Sequence, residues 1–323
     1  MTRILALIAA CGLMLFASAA PIQASEVQVT WEATRYFVEG EALMVHLRLE
    51  VVGEQPVELE PWALSAAAFS VDGHALGGRT GKKSLALEPG QVLETRLNLA
   101  KAVTKLDSFN RRHFQLSYHG AGSTQPQQIL FFEAAEKGIE FMELPKEQLA
   151  DYQVLLRTNR GDIWIDLWPD VAENHVRNYL DLAYTGYYDG SQFHRVIPNF
   201  MIQGGRNKQG IKAPRTLNAE FSDRKHVRGV LSMARLGDDI NSATTEFFLM
   251  HVRYPSLDGK YTAFGQTIEG LEVIDKIVVT GNPTFSSNDP RGFTPTSPQV
   301  IERALVVRKV APPEVKEPKQ EEK

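Results

Sequence analysis

The stretch Phe193-His194-Arg195-Val196-Ile197-Pro198-Asn199-Phe200-Met201-Ile202-Gln203-Gly204-Gly205 decides how this chain is read. It sets a permanent cation, two aromatics, a thioether and an amide close together and ends in a glycine pair. Strand alternation sends Phe193, Arg195 and Ile197 to one face and His194 and Val196 to the other. Pro198 has no N–H to give, so it interrupts the ladder and re-aims Phe200, Met201 and Gln203 beside Arg195. The mixture reads either as a core strand with a snorkelling Arg or as a shallow apolar pocket with a cation at its rim.

Three more blocks follow in order: Gly229-Val230-Leu231-Ser232-Met233-Ala234-Arg235, then Glu246-Phe247-Phe248, then Leu257-Asp258-Gly259-Lys260-Tyr261-Thr262-Ala263-Phe264-Gly265. Together the four blocks resemble the signature of the cyclophilins, which are peptidyl-prolyl cis-trans isomerases. The resemblance runs from about Tyr152 to Lys309 and is silent about the rest. It implies a mainly β fold, a closed eight-stranded barrel capped by two helices. The interior of such a barrel is filled with side chains, so a ligand must lie outside it. The local patterns agree. Asn159-Arg160-Gly161 joins two apolar strands as a hairpin. Asp170 to Thr185 carries Val176, Tyr179, Leu180 and Ala183 at helical spacing, and Glu269 to Val279 carries Leu271, Ile274, Ile277 and Val278.

The implied reaction is rotation about an X–Pro bond, with a barrier of about 18–20 kcal/mol. No bond breaks, so no cofactor or metal is expected. What helps is a donor aimed at the lone pair that the prolyl nitrogen gains only in the twisted amide. By the resemblance Arg195 is that donor, and Gln203 holds the substrate backbone and orients Arg195. Phe200, Met201, Phe248 and Leu257 match the seat of the proline ring, with Tyr261 where many members carry His. Ala234 and Arg235 match the segment that pairs with the peptide as an added strand. Glu246 stands where Gln is usual, and can pair near Arg195 or sit in solvent. Ser256 replaces the Trp of members that bind cyclosporin tightly, so weak cyclosporin binding is implied. His194 invites an acid–base role, but alternation puts it opposite Arg195 and the reaction transfers no proton.

The whole chain has 323 residues, 43% of them hydrophobic and 23% charged, with a formal net charge of −4. No basic stripe suits nucleic acid. Arg3, the apolar run from Ile4 to Ala17 and the small residues after it read as a signal peptide over 1–24, cleaved after Ala19 or Ala24. The run is short for a membrane span. A periplasmic or secreted protein is expected, without cysteine once Cys11 has left with the signal. Residues 26–133 read as short alternating strands with frequent turns, an immunoglobulin-like β-sandwich domain of unknown role. Residues 134–151 read as a charged linker with a helical stretch at 146–150, 152–310 as the isomerase domain, and 311–323 as a disordered charged tail. The expected partners are unfolded or extended Pro-containing polypeptides. The rival reading is a catalytically weak chaperone or scaffold, docked to an envelope partner through the N-terminal domain.

Overall fold

The structure, a computed structural model, describes residues 26–78, 83–106, 113–121, 124–207, 210–281 and 293–309. The expected signal peptide, the expected tail and residues 282–292 lie outside the described residues. The described chain packs as two compact units. One holds everything from Ile129 onward with 35–42 and 113–114; the other holds 26–34, 43–106 and 115–128. The packing division therefore falls elsewhere than the sequence boundaries at 133 and 152.

The larger unit is built on eight strands: β1 (Tyr152–Thr158), β2 (Gly161–Leu167), β3 (Arg195–Ile197), β4 (Met201–Gly204), β5 (Val230–Met233), β6 (Phe247–Met250), β7 (Ala263–Glu269) and β8 (Ile301–Arg308). They form one antiparallel sheet in the order β3-β4-β6-β5-β7-β2-β1-β8. The approaches to β3 and β8 meet: Gly190 N–H donates to the Ile301 carbonyl and Phe193 N–H to the Gln299 carbonyl (2.8 and 2.9 Å). The first and last strands of the order are thus drawn together, as closing a sheet requires.

Alternation sorts the side chains. Along β1, Val154 and Leu156 enter the interior cluster while Leu155 faces outward. Helices α1 (Glu173–Tyr184) and α2 (Leu271–Val278) each bury one apolar face, Val176, Tyr179, Leu180 and Ala183 on the first, Val273, Ile274, Ile277 and Val278 on the second. Gly161 follows the β1–β2 hairpin turn at φ +128°, and a Cβ there would meet the Val273 side chain at 2.9 Å. Phe193, Val196, Ile202, Leu231 and Phe247 fill the same interior, which leaves the outer face for binding.

The segment 134–151 is packed rather than free. Phe141 and Leu149 are fully buried in the interior cluster, and Phe141 meets the rings of Tyr152 and Tyr184 edge-on at 5.1 and 5.5 Å. The helix there is the single turn Lys146–Leu149. In the smaller unit, strands Val27–Ala33, Met44–Val51 and Val92–Asn98 form an antiparallel sheet, Val57–Leu59 pairs with Leu85–Leu87, and Phe69–Val71 pairs with 116–118. Ala66–Ala68 is a 3-10 turn capped by Ser65 Oγ. No helix among the described residues is long and apolar enough to cross a membrane.

Candidate active site

The site is a register consequence. Arg195 of β3 lies directly opposite Gln203 of β4, Gln203 opposite Phe248 of β6, and Phe248 opposite Ser232 of β5. Directly paired residues share a face, so these four form a row across the outside of the sheet. Pro198 ends β3 as expected. Phe200 N–H bonds to the Ile197 carbonyl (3.1 Å), with Asn199 at φ +58° in the left-handed position that Asn tolerates. Gly205 ends β4 at φ +89°, where a Cβ would run into the Thr245 carbonyl.

Around the row lies a cavity of about 420 Å³ lined by Arg195, Phe200, Met201, Gln203, Ala234, Arg235, Phe248, Leu257 and Tyr261. Every site residue picked from the sequence except Glu246 is brought there. Its floor is Met201 and Phe248, which pack with Val230, Met250, Leu257 and Ala263 as a cluster separate from the interior. Buried His226 lies parallel to the Phe248 ring at 6.2 Å, tied to Asp258 Oδ1 (3.2 Å) and Ser232 Oγ (3.1 Å). Tyr254, which sequence reasoning missed, packs on Phe200 at 4.4 Å between ring centres. Arg235 sits 4.6 Å over the Tyr261 ring and donates to the Lys260 carbonyl (3.1 Å). The Ala234 N–H is given to the Glu246 carbonyl (2.8 Å).

Arg195 is half-buried, and burial draws its pKa below the usual value while Tyr261 opposes the shift. Its Nη1 donates to Gln203 Oε1 at 3.0 Å. Gln203 Nε2 in turn donates to Glu246 Oε2 at 2.9 Å. Glu246 therefore reaches Arg195 only through an amide. Its charge is met by Arg206, which donates to Oε1 from Nε and Nη2 (3.1 and 3.0 Å), and by His194 Nε2, 3.2 Å from Oε2. Burial works against this carboxylate, but His194, Arg206 and Gln203 outweigh it and hold its pKa at about 2.

Two expectations about the opening stretch are corrected. Phe193 is in the barrel interior, away from Arg195, and His194 is on the site side against Glu246. The strand begins only at Arg195, so parity counted from Phe193 does not apply. Arg206 and Phe293 were also missed. Arg206 belongs to an i to i+40 pair that has no local signal. Phe293 lies in a polar loop, where the aromatic itself was the signal. Among the described residues no group of three or more His, Cys, Asp or Glu could hold a metal ion.

Residues 153–303 match the family described as cyclophilin type peptidyl-prolyl cis-trans isomerase/CLD. A "peptidyl-prolyl cis-trans isomerase-like 2" from Gibberella zeae is 38% identical over 158 residues, which is 47% of this chain and 27% of that protein. A "probable peptidyl-prolyl cis-trans isomerase" from Brucella suis is 40% identical over 138 residues, 38% of this chain and 70% of the relative. A crystal structure of a Cryptosporidium parvum cyclophilin-type isomerase, 28% identical, aligns with a TM-score of 0.44 over 50% of this chain and 99% of its own. Residues before 153 lie outside the family match. Through its C-terminal unit, the chain belongs to the cyclophilin-type peptidyl-prolyl cis-trans isomerase family.

Proposed function

We propose that the protein isomerises X–Pro bonds in extended or unfolded polypeptides outside the cytoplasm. One observation carries the reading: Arg195, held by Gln203, stands at the mouth of a cavity whose seat is Phe200, Met201, Phe248, Leu257 and Tyr261. The seat takes the proline ring in planar and twisted amides alike. Twisting pyramidalises the nitrogen and frees its lone pair, and the remaining N–H groups of Arg195 then gain an acceptor that the ground state lacks. Gln203 fixes one edge of the guanidinium and leaves the others available.

The location rests on the signal-peptide pattern at 1–24. The rival reading, a binding scaffold without turnover, drew weight from a carboxylate able to quench Arg195; Glu246 instead spends its charge on Arg206 and His194. Weak cyclosporin binding is retained in the proposal, because Ser256 is an exposed residue with no ring to offer. The test is catalysed cis–trans exchange of an Ala-Pro-Phe-type peptide by the full mature chain. Exchange at the uncatalysed rate, with the peptide still bound, would favour the scaffold. Sequencing the N-terminus of the exported protein tests the location, and a retained apolar segment would refute it.

A further inference from the structure

Arg195 carries five N–H donors, and its hydrogen bond to Gln203 takes one of them. A carboxylate at its side would balance the half-buried charge, but it would also occupy the donors that a prolyl nitrogen needs. Glu246 is turned away to Arg206 and His194. What does face the guanidinium is an aromatic ring: Arg195 Cζ lies 4.8 Å from the centre of Phe293. An aromatic face attracts a cation through its quadrupole and consumes no N–H.

The ring approaches from the far side. Phe293 lines a neighbouring cavity of about 450 Å³ that shares Arg195 and Gln203 with the first but none of the proline-seat residues. The backbone holds it there. Val196, next to Arg195, donates its N–H to the Phe293 carbonyl (2.8 Å). Thr296 is bonded twice to the Thr280 carbonyl (2.8 and 3.1 Å), and Arg160 Nη2 donates to Ser297 Oγ at 3.2 Å.

From this geometry we infer that Phe293 is a positioning residue, which holds the Arg195 guanidinium in plane while leaving its donors free. The inference rests on the isomerase reading above. Its test uses the full chain with Phe293→Ala, Phe293→Leu and Phe293→Tyr. Ala and Leu should each lower kcat about three- to tenfold with KM within about twofold, and Tyr should restore turnover. In an Arg195→Ala background, Phe293→Ala should cost less than about twofold, since there is no cation left to hold. The Arg195 Nε–Hε NMR signal should be ring-current shifted in the native protein and in Phe293→Tyr, and lose that shift in Ala and Leu. An unshifted native signal, full activity in Phe293→Ala, activity in Phe293→Leu equal to that of Tyr, or an equal loss without Arg195 would each overturn the assignment. Native protein that catalyses no exchange would sink the isomerase reading instead, and the Nε–Hε signal would still decide whether the ring holds the cation.

Discussion

The outer face of the barrel carries an apolar cluster over β1, β2 and β8 and another over β4, β5 and β6, and the chain treats the two differently. Over the first, it lays its own segments. Tyr36 meets the Trp164 ring edge-on at 5.3 Å and Phe132 lies 4.4 Å from it, with Leu155, Leu305 and Val307 beneath. Polar groups seal the edges, as Tyr36 donates its hydroxyl to Glu269 and Arg157 reaches the Tyr36 carbonyl at 2.9 Å. Over the second, no described segment of the chain is laid, and Arg195 stands at the rim. Strand alternation supplies an outward apolar residue in both places. Whether such a face becomes structure or site is decided by what covers it and by a charge that, among the described residues, has no carboxylate beside it.

Substituting each patch should therefore damage different properties. Arg195→Ala should lower kcat by about two to three decades, a few kcal/mol of barrier, with peptide affinity and melting temperature nearly unchanged. Near-full turnover would refute the mechanism. Tyr36→Ala should do the reverse. Truncating a buried aromatic costs about 3 kcal/mol, or roughly 5–10 °C in melting temperature, while kcat per folded molecule stays native. A fragment starting at residue 150 loses this whole cover, and should melt lower still or aggregate through Trp164 and Leu305. If Tyr36→Ala leaves the melt unchanged, the cover is not structural and the contrast collapses.

Much of this was legible in the sequence. The hairpin and both helices follow from local periodicity, and the residues gathered at the cavity follow from the family resemblance that the contiguous blocks carry. What stayed hidden depends on partners far along the chain. Alternation tells that Trp164 and Leu155 are buried, but not that Tyr36 and Phe132 bury them. Phe141 is an isolated aromatic in a charged stretch, and only the Tyr152 and Tyr184 rings make it core. His194 was misplaced because parity holds only inside a strand, and the chain enters β3 while still bonded to 299–301.

Groups bordering the two patches should also fail at opposite ends of the pH scale. Glu246 has a folded-state pKa lowered from 4.5 to about 2, so its stabilisation is complete above about pH 4.5 and is lost as pH falls toward 2. After discounting for partial exposure, the native protein should lose about 1–2 kcal/mol more than Glu246→Gln between pH 5 and pH 2. Tyr36 shifts the other way: burial, with the Glu269 hydrogen bond, raises its pKa. Its contribution is complete below about pH 10 and fades above it, a loss that Tyr36→Phe should lack. Denaturant midpoints across pH separate the two. Parallel acid curves for native and Glu246→Gln would mean that Arg206 and His194 do not hold this charge.

The smallest expected effect is at the wall of the open patch. Arg235 lies over Tyr261 and bridges two stretches of backbone, donating to the Leu236 carbonyl (2.7 Å) and the Lys260 carbonyl (3.1 Å). It shapes a surface that planar and twisted substrates touch equally, so its removal withdraws uniform binding. Arg235→Ala should raise KM about two- to threefold, under about 1 kcal/mol, with kcat unchanged. Arg235→Lys should resemble Ala, because a single ammonium cannot span both carbonyls while covering the ring. A fall in kcat of tenfold or more would mean that a second cation acts on the twisted amide. Arg195 would then share with Arg235 the role that separates the open patch from the covered one.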